Sequence, residues 1–354
     1  MGGATRTDSG GETMAKKVII DTDPGIDDSV ALALAVNSPE LEIMGVTTLF
    51  GNSTAENTFR NARYVLAKFG ASRIPVFPGA AAPLIRRPEI AAETHGESGL
   101  GYLVPEELFG EGAGSVPQQA GAARFAPLAI LDLLAKSDEK VTILALGPQT
   151  NLALALAYDR ELMRSKVAEI VLMGGSAGAP GNTTPVSEFN FWADPEAAQA
   201  VLQSGIPIRM VGLDVTRSIV FHNSLVEKLR TSGSEKAGFL AELMRFYVGF
   251  HREYERLDGC IVNDPLAVAL AIDGRFGMAQ PMYVEVCCTD GLTRGQSICD
   301  RFGFLKKEPN AGVYLSVDAA TVIEFTLERA VGRVVSPEDI ARGLELAKIP
   351  YKHG

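Results

Sequence analysis

The segment VIIDTDPGIDDSVALALAV, residues 18–36, holds four aspartates between an apolar run and a helical pattern: Asp21, Asp23, Asp27 and Asp28. Carboxylates a few Å apart raise one another's pKa, so they cannot all be charged cheaply without a cation. A hard divalent ion such as Ca²⁺ prefers roughly six to eight oxygen ligands. The segment therefore predicts a Ca²⁺ site. The alternative is that Asp27 or Asp28 only caps the following helix.

Three other interpretations of this segment can be tested on its letters. An EF-hand loop starting at Asp21 needs Gly and Glu where this chain has Ile26 and Leu32, so it is excluded. A phosphate-binding loop is excluded because one glycine among four anionic side chains would repel phosphate. A DxD after an apolar strand also begins phosphoryl-transferring aspartate enzymes, with the first Asp as nucleophile. That alternative stays open, although its lysine-bearing partner motif cannot be placed.

The composition bounds the class of protein and its partners. The chain has 354 residues, 46% of them hydrophobic, which is ample for a compact globular core. A net charge of −10 argues against nucleic acid or an anionic membrane as the main partner. No apolar run is long enough to span a bilayer, and residues 1–16 lack the apolar core of a secretory signal. We therefore expect a cytoplasmic protein with a small or cationic ligand, whose four cysteines are buried or inert thiols.

Short β-branched runs alternate with helical patterns from about residue 17 onwards. This rhythm predicts an α/β fold with a mostly parallel central sheet and helices on both faces. We expect a disordered extension over residues 1–16 and a single catalytic domain over residues 17–354. Two Gly/Pro-rich stretches, residues 79–120 and 174–187, follow predicted strands. They are the predicted active-site loops, because open α/β sheets bind ligands beyond the carboxyl ends of their strands.

Several further motifs follow the aspartate segment in a fixed order. They are GVTTLFGNSTAENTFRNA (45–62), HGESGLG (95–101), LGPQTNLALA (146–155), IVLMGGSAGAPGNTTPVSEFNFWADPEAA (170–198) and VNDPLAVA (262–269). Together with DTDPGIDD they resemble the inosine-uridine preferring nucleoside hydrolases over about residues 17–330. The resemblance implies the Rossmann-like fold of that family and Ca²⁺-dependent hydrolysis of ribonucleosides to ribose and free base, in purine or pyrimidine salvage. It also suggests a homodimer or homotetramer.

The resemblance implies a metal centre and a catalytic base. The Ca²⁺ ligands would be Asp23, Asp28, the main-chain carbonyl of Leu146, and Asp264, with Asp23 also acting as general base. Because Asp264 precedes Pro265, a plain role as helix N-cap is the alternative for it.

The resemblance also implies a set of side chains that hold the sugar. Asp27 would bind a ribose hydroxyl with Asn52 nearby, and Met173 would pack against the ring. The remaining sugar-binding positions would be Asn182, Glu188 and Asn190, with Phe189 beside the sugar or base.

The base-facing half of the site departs from the family pattern. Many members have His before the late aspartate, where this chain has Asn263, which can donate a hydrogen bond but cannot deliver a proton near neutral pH. By resemblance His95 lies in the mobile loop beside the base, and His251 and Tyr254 form the expected base-facing pair. The open alternatives are a hydrolase of a modified or unusual riboside and a catalytically silent riboside-binding protein.

Overall fold

The structure is a computed structural model that describes residues 15–103 and 124–352. Residues 1–14 of the predicted extension therefore lie outside the described residues, as does the predicted active-site loop from residue 104 onwards. The first strand begins at Lys16, the last residue of the range expected to be disordered.

The regular elements alternate between strand and helix along most of the described chain. In order, the strands are β1 (Lys16–Thr22), β2 (Leu41–Thr48), β3 (Val76–Pro78), β4 (Val141–Ala145), β5 (Val167–Met173), β6 (Ile208–Val211), β7 (Val220–His222), β8 (Gly259–Ile261), β9 (Gly277–Val286), β10 (Ser297–Asp300) and β11 (Ala311–Val317).

The helices of the described residues are given next in chain order, and a 3₁₀ turn lies at Gly274–Phe276. They are α1 (Ile26–Val36), α2 (Ala55–Lys68), α3 (Ala92–His95), α4 (Ala126–Lys136), α5 (Thr150–Tyr158), α6 (Arg160–Lys166), α7 (Phe189–Ala193), α8 (Pro195–Leu202), α9 (Leu213–Thr216), α10 (Asn223–Thr231), α11 (Glu235–Tyr254), α12 (Asp264–Ile272), α13 (Ala319–Val331) and α14 (Pro337–Leu346). In the part of the chain described, no helix is both long and apolar enough to cross a membrane.

Within residues 15–103 and 124–352, nine strands form one sheet in the order β10-β9-β11-β6-β5-β4-β1-β2-β3. The pairings from β11 through β6 to β3 are parallel, and β9 pairs antiparallel with both β10 and β11. The prediction of a mostly parallel sheet is confirmed. A separate antiparallel pair, β7 with β8, was not predicted.

The strand order reverses at β1, whose neighbours are β2 on one side and β4 on the other. Such a switch point opens a crevice beyond the carboxyl ends of the two diverging strands. Asp21, near the end of β1, pairs with Thr47 of β2 and Ala145 of β4. The aspartate segment therefore begins where the fold itself creates a ligand crevice.

Two buried helices begin at this crevice and pack against each other, α1 and α12. Both are apolar around their circumference, and neither has an exposed residue. Polar residues enter them only at the first turns, as Asp27 and Asp28 in α1 and as Asp264 in α12. The helix N-terminus is the end at which a carboxylate is best tolerated, because the unpaired N–H groups and the helix dipole favour negative charge there.

The predicted loop at residues 174–187 is fastened to the antiparallel edge of the sheet. The Ser297 hydroxyl on β10 accepts from the Ser176 N–H at 2.7 Å and donates to the Ser176 carbonyl at 2.6 Å. The Ser187 hydroxyl donates to the Arg294 carbonyl at 2.6 Å, and the Arg294 guanidinium pairs with Glu196. Both ends of this loop are thus held by the same hairpin.

We expect Ser297→Ala to lower the free energy of unfolding by about 1–3 kcal/mol, because two buried backbone groups of Ser176 lose their hydrogen bonds to the hydroxyl. The exposed Ser165, whose hydroxyl bonds only within its own helix, provides the control Ser165→Ala. Chemical denaturation of both variants measures the difference. Equal stability of the two variants would show that the loop is not anchored through Ser297.

Candidate active site

Three carboxylates meet beyond the carboxyl ends of β1 and β4. Asp27, Asp28 and Asp264 each place one oxygen so that all three oxygens lie within 4.8 Å of one another, and all three residues are buried. The first turns of α1 and α12 bring them together. The predicted ligand set differed from this trio, because it included Asp23 and assigned Asp27 to the sugar.

Asp23 is buried beside this acidic trio, and backbone encloses it. Its Oδ2 accepts the Asn52 N–H at 2.7 Å, while its Oδ1 has no hydrogen-bond partner among the described residues. A Cβ at Gly51 or Gly147 would collide with the carboxylate, so only glycine fits at these two positions. Burial, then the charges of Asp28 and Asp27, raise the pKa of Asp23 well above its ordinary value.

Asp28 is the best satisfied of the carboxylates. Its oxygens accept from the Thr22 hydroxyl, from Asn52 Nδ2 at 2.7 Å and from the Gly25 N–H at 3.0 Å. The bond to Gly25 caps the start of α1, so the capping role considered for Asp28 coexists with its place in the acidic trio. Burial and then the charge of Asp27 raise the pKa of Asp28.

Asn263 is bound to Asp27, across 236 positions of sequence. The Asn263 backbone N–H and side-chain amide both donate to Asp27 Oδ2, at 3.3 and 3.2 Å. Asp27 Oδ1 has no partner among the described residues.

Asn263 occupies the N-cap position of α12 and Asp264 is the first helical residue, so the capping alternative considered for Asp264 is wrong. Burial, followed by the charges of Asp27 and Asp28, raises the pKa of Asp264 well above its ordinary value.

These carboxylates fit a bound divalent cation. Burial and mutual repulsion penalise their charged forms, and two of their buried oxygens, Asp23 Oδ1 and Asp27 Oδ1, are unpartnered in the part of the chain described. Carboxylates bound to a cation gain the charge compensation and the extra contact that these oxygens lack. The donors are all oxygen, which favours a hard ion over a thiolate- or imidazole-binding one.

A group of polar residues that includes Glu188 and Asn190, here called the polar wall, also lines the cavity. Glu188 caps α7, and its carboxylate accepts the N–H groups of Gly175, Asn190 and Phe191 at 2.8, 2.8 and 3.1 Å. Burial raises the pKa of Glu188 to about 7. Asn190 Nδ2 donates to the Leu146 carbonyl at 2.7 Å, so the predicted carbonyl ligand is held in place by a predicted sugar contact.

Both histidines near the predicted base position are neutral. His95 Nδ1 accepts the Ile26 N–H at 3.1 Å, so the ring proton sits on Nε2, and burial lowers the pKa of His95 to about 4. His251 Nδ1 lies 2.8 Å from the Tyr247 carbonyl and must donate to it, while His251 Nε2 accepts the Ile261 N–H at 3.4 Å. Burial also lowers the pKa of His251. Neither imidazole is placed to deliver a proton near neutral pH.

The expected pair His251 and Tyr254 is only half present in the cavity. Tyr254 is 58% exposed and packs on Phe250, so the structure does not bring it to the cavity. Tyr247, which is 3% exposed, lines the cavity instead. Both tyrosines share a helix face, but a rise of 1.5 Å per residue carries Tyr254 about 10 Å further along α11.

One cavity joins most of the predicted residues. Its lining includes Asp27, Asn52, His95, Leu146, Met173, Asn182, Glu188, Phe189, Asn190, His251, Asn263 and Asp264. Asp23 and Asp28 are buried next to this cavity and are not part of its lining. Sequence reasoning missed three chemically active lining residues, Tyr247, Arg217 and Glu255. Only Tyr247 left a signal, as the residue at i−4 from His251.

Residues 18–324 match the sequence profile of the family described as inosine-uridine preferring nucleoside hydrolase. The chain is 38% identical over 318 residues to the pyrimidine-specific ribonucleoside hydrolase RihA of Salmonella arizonae, spanning 89% of this chain and 98% of that protein. The chain therefore belongs to the inosine-uridine preferring nucleoside hydrolase family. It is an enzyme that cleaves N-ribosidic bonds.

Solved structures with similar folds carry related names. The plant nucleoside hydrolase PpNRh1 superposes with a TM-score of 0.82 at 31% identity, covering 90% of this chain and 99% of that one. A purine-preferring ribonucleoside hydrolase from Gardnerella vaginalis superposes with a TM-score of 0.80 at 30% identity, covering 89% and 98%. The predicted nucleoside hydrolase fold is confirmed.

The raised pKa of Glu188 makes stability depend on pH. Because the folded state keeps a proton that an unfolded glutamate loses, Glu188 stabilises the fold below about pH 4, and this contribution disappears as the pH rises to about 7. We expect the free energy of unfolding of metal-free protein to fall over this window, with Glu188 contributing about 3 kcal/mol of the change.

Glu188→Gln should flatten this decline, although the variant also loses an acceptor for a backbone N–H and is less stable at every pH. Urea unfolding at a series of pH values, in EDTA, measures the slope. Glu93→Gln, at an exposed position, is the control. An unchanged slope in Glu188→Gln would contradict the expectation.

Proposed function

We propose that this enzyme is a Ca²⁺-dependent nucleoside N-ribohydrolase that converts a ribonucleoside and water into ribose and a free base. The observation that carries the proposal is the acidic trio at the cavity, with unpartnered carboxylate oxygens at Asp23 and Asp27. We assign the ion's ligands to Asp23, Asp28, the Leu146 carbonyl and Asp264, and extend them to Asp27 because it belongs to the trio. When bound, Ca²⁺ would supply a coordinated water and an anchor for two sugar hydroxyls.

The sugar would bind between the acidic trio and the polar wall. Asp27 Oδ1 would contact both the ion and a ribose hydroxyl, since the other oxygen of Asp27 is held by Asn263. The polar wall contributes Asn182, Glu188 and Asn190 to the cavity lining, and Met173 supplies an apolar surface. Breaking the C1′–N bond places positive charge on the sugar ring, and carboxylates around the ring stabilise it.

Asp23 is the proposed general base. Its Oδ1 is unpartnered, and Asn52 and the glycines around it hold the carboxylate in one position. Burial raises the pKa of Asp23 well above its ordinary value, which makes this carboxylate a stronger base than an exposed aspartate. It would take a proton from the attacking water.

His95 is the proposed hydrogen-bond donor to the leaving base. Its Nε2 carries the ring proton, because Nδ1 accepts from Ile26. Asn263 is committed to Asp27 and therefore orients that carboxylate rather than protonating the base. We therefore propose a positioning role for Asn263 in place of a catalytic one.

We place the reaction in nucleoside salvage. The four cysteines are free thiols, which supports a cytoplasmic location. We expect a homodimer or homotetramer. The relatives divide over the base, since the name of one specifies pyrimidine nucleosides and the name of another purine ones. We propose ribonucleosides as the substrate class. A comparison of nucleosides as substrates decides which base the enzyme prefers.

Release of reducing sugar should be fast and Ca²⁺-dependent for at least one of inosine, adenosine, guanosine, uridine and cytidine. EDTA should abolish it, and 2′-deoxyinosine should react far more slowly than inosine, because a missing hydroxyl leaves buried polar groups unpaired. Silence on every nucleoside, together with measurable binding by calorimetry, would replace the proposal with a riboside-binding protein. If the enzyme neither cleaves nor binds any of these nucleosides, the proposed substrate becomes a modified riboside.

Asp23→Asn should lower kcat by at least about 100-fold while keeping the fold, because the amide cannot accept the proton of the attacking water. Asp138→Asn, at an exposed position, is the matched control. Steady-state kinetics and thermal unfolding are measured on both variants. Turnover like that of the wild type in Asp23→Asn would remove Asp23 as the base.

A further inference from the structure

Two chemically different groups of residues line the cavity. Asp27 and Asp264 of the acidic trio form one group, where the proposed function places the ribose hydroxyls. The other group consists of Phe250 and His251 of α11, Glu255 directly after α11, and Arg217 directly after α9. A base attached at C1′ of a ribose held by the carboxylates would project toward this second group.

Arg217 is the one permanent cation among the described residues that line this cavity. One terminal nitrogen of its guanidinium donates to the Gly181 carbonyl at 3.0 Å. The other lies 3.8 Å from a carboxylate oxygen of Glu255, beyond ordinary hydrogen-bond distance. Its Nε–H has no hydrogen-bond partner among the described residues. Since a guanidinium has five N–H donors, Arg217 retains donors for a ligand.

The departing base needs stabilisation that the histidines do not supply as acids. When the bond from C1′ to the base nitrogen breaks, its electron pair stays on the base. His95 and His251 are neutral, and the Asn263 amide is bound to Asp27. The burial of Tyr247 raises its pKa well above the ordinary value, so it is a weak acid.

We propose that Arg217 contacts the departing base and stabilises the negative charge that the base acquires as the glycosidic bond breaks. The proposal rests on the proposed hydrolase function. Its substrate class is a riboside whose base delocalises the charge onto a carbonyl oxygen, as uracil and hypoxanthine do, because a guanidinium binds such an oxygen by charge-assisted hydrogen bonds.

The step balances without a proton from the enzyme to the base. The oxygen of water bonds to C1′, the C1′–N bond breaks, and the proton of the water passes to Asp23. The base leaves as an anion paired with Arg217 and takes a proton from solvent after release. Asp23 returns its proton to solvent.

A competing explanation is that Arg217 only fastens the loop that carries Asn182, through its bond to Gly181. The two roles differ in how they depend on the leaving group. A loop fastener affects every riboside equally, because the sugar is the same. A group that stabilises the departing base matters for a poor leaving group such as uracil and much less for p-nitrophenolate, which is already a stable anion.

The test compares wild type, Arg217→Gln and Arg217→Lys on uridine, inosine and p-nitrophenyl β-D-ribofuranoside, with Ca²⁺ present. Arg217→Gln should lower kcat on both nucleosides by about 100-fold, the effect of removing one donor to a developing anion. Its loss on the aryl riboside should be at most about tenfold, and Arg217→Lys, which keeps the charge, should recover part of the nucleoside rate. Arg230→Gln, an exposed arginine paired with Glu227, is the control, and thermal unfolding checks the fold of each variant.

Each other outcome overturns the inference in a recognisable way. Equal losses of kcat on nucleosides and aryl riboside make Arg217 a loop fastener. Full nucleoside activity in Arg217→Gln shows that it does not assist the base. If the wild type cleaves the aryl riboside and neither nucleoside, this inference fails while the hydrolase chemistry stands. If it cleaves none of them, the proposed function fails as well.

Discussion

The burial of several like charges in one small volume is the constraint on which the site depends. Asp27, Asp28 and Asp264 lie at the first turns of two helices that are otherwise apolar and buried. Packing α1 against α12 removes a large apolar surface from water, and this burial holds together carboxylates that repel one another. The helix N-termini reduce the repulsion without removing it. The fold thus holds together carboxylates whose mutual repulsion a bound cation would relieve.

The basic side chains that line the cavity are governed by desolvation rather than by mutual repulsion. Backbone groups occupy both nitrogens of His251 and one nitrogen of His95, and burial keeps both rings neutral. A charged imidazole there would be attracted by the carboxylates, yet the cost of desolvation is larger. The one permanently cationic side chain among the described lining residues is Arg217.

The sequence was sufficient for the sheet and for the aspartates, because apolar strands and a dense cluster of like charges are local patterns. The end of β1 and the start of α1 follow from them directly. Distant pairings were not predictable in this way. Nothing local indicates that Asn263 binds Asp27 from 236 positions away, or that Arg217 reaches the same cavity as Glu255. The resemblance pointed to α11, where His251 lines the cavity and Tyr254 does not, because a sequence motif does not show where a neighbouring cavity ends.

In the proposed binding mode, the braced loop and the buried carboxylates have a consequence for the order in which the products would leave. The β9–β10 hairpin holds the loop at residues 174–187 through Ser176 and Ser187. This loop is therefore poorly suited to open for product release. Arg217 and Glu255 keep 32% and 29% of their side-chain surface exposed. If the base binds beside them as proposed, it would lie nearer to solvent and leave first, and ribose would remain on the carboxylates until solvent replaces it. Free ribose should then act as a competitive inhibitor, and the free base as a noncompetitive one.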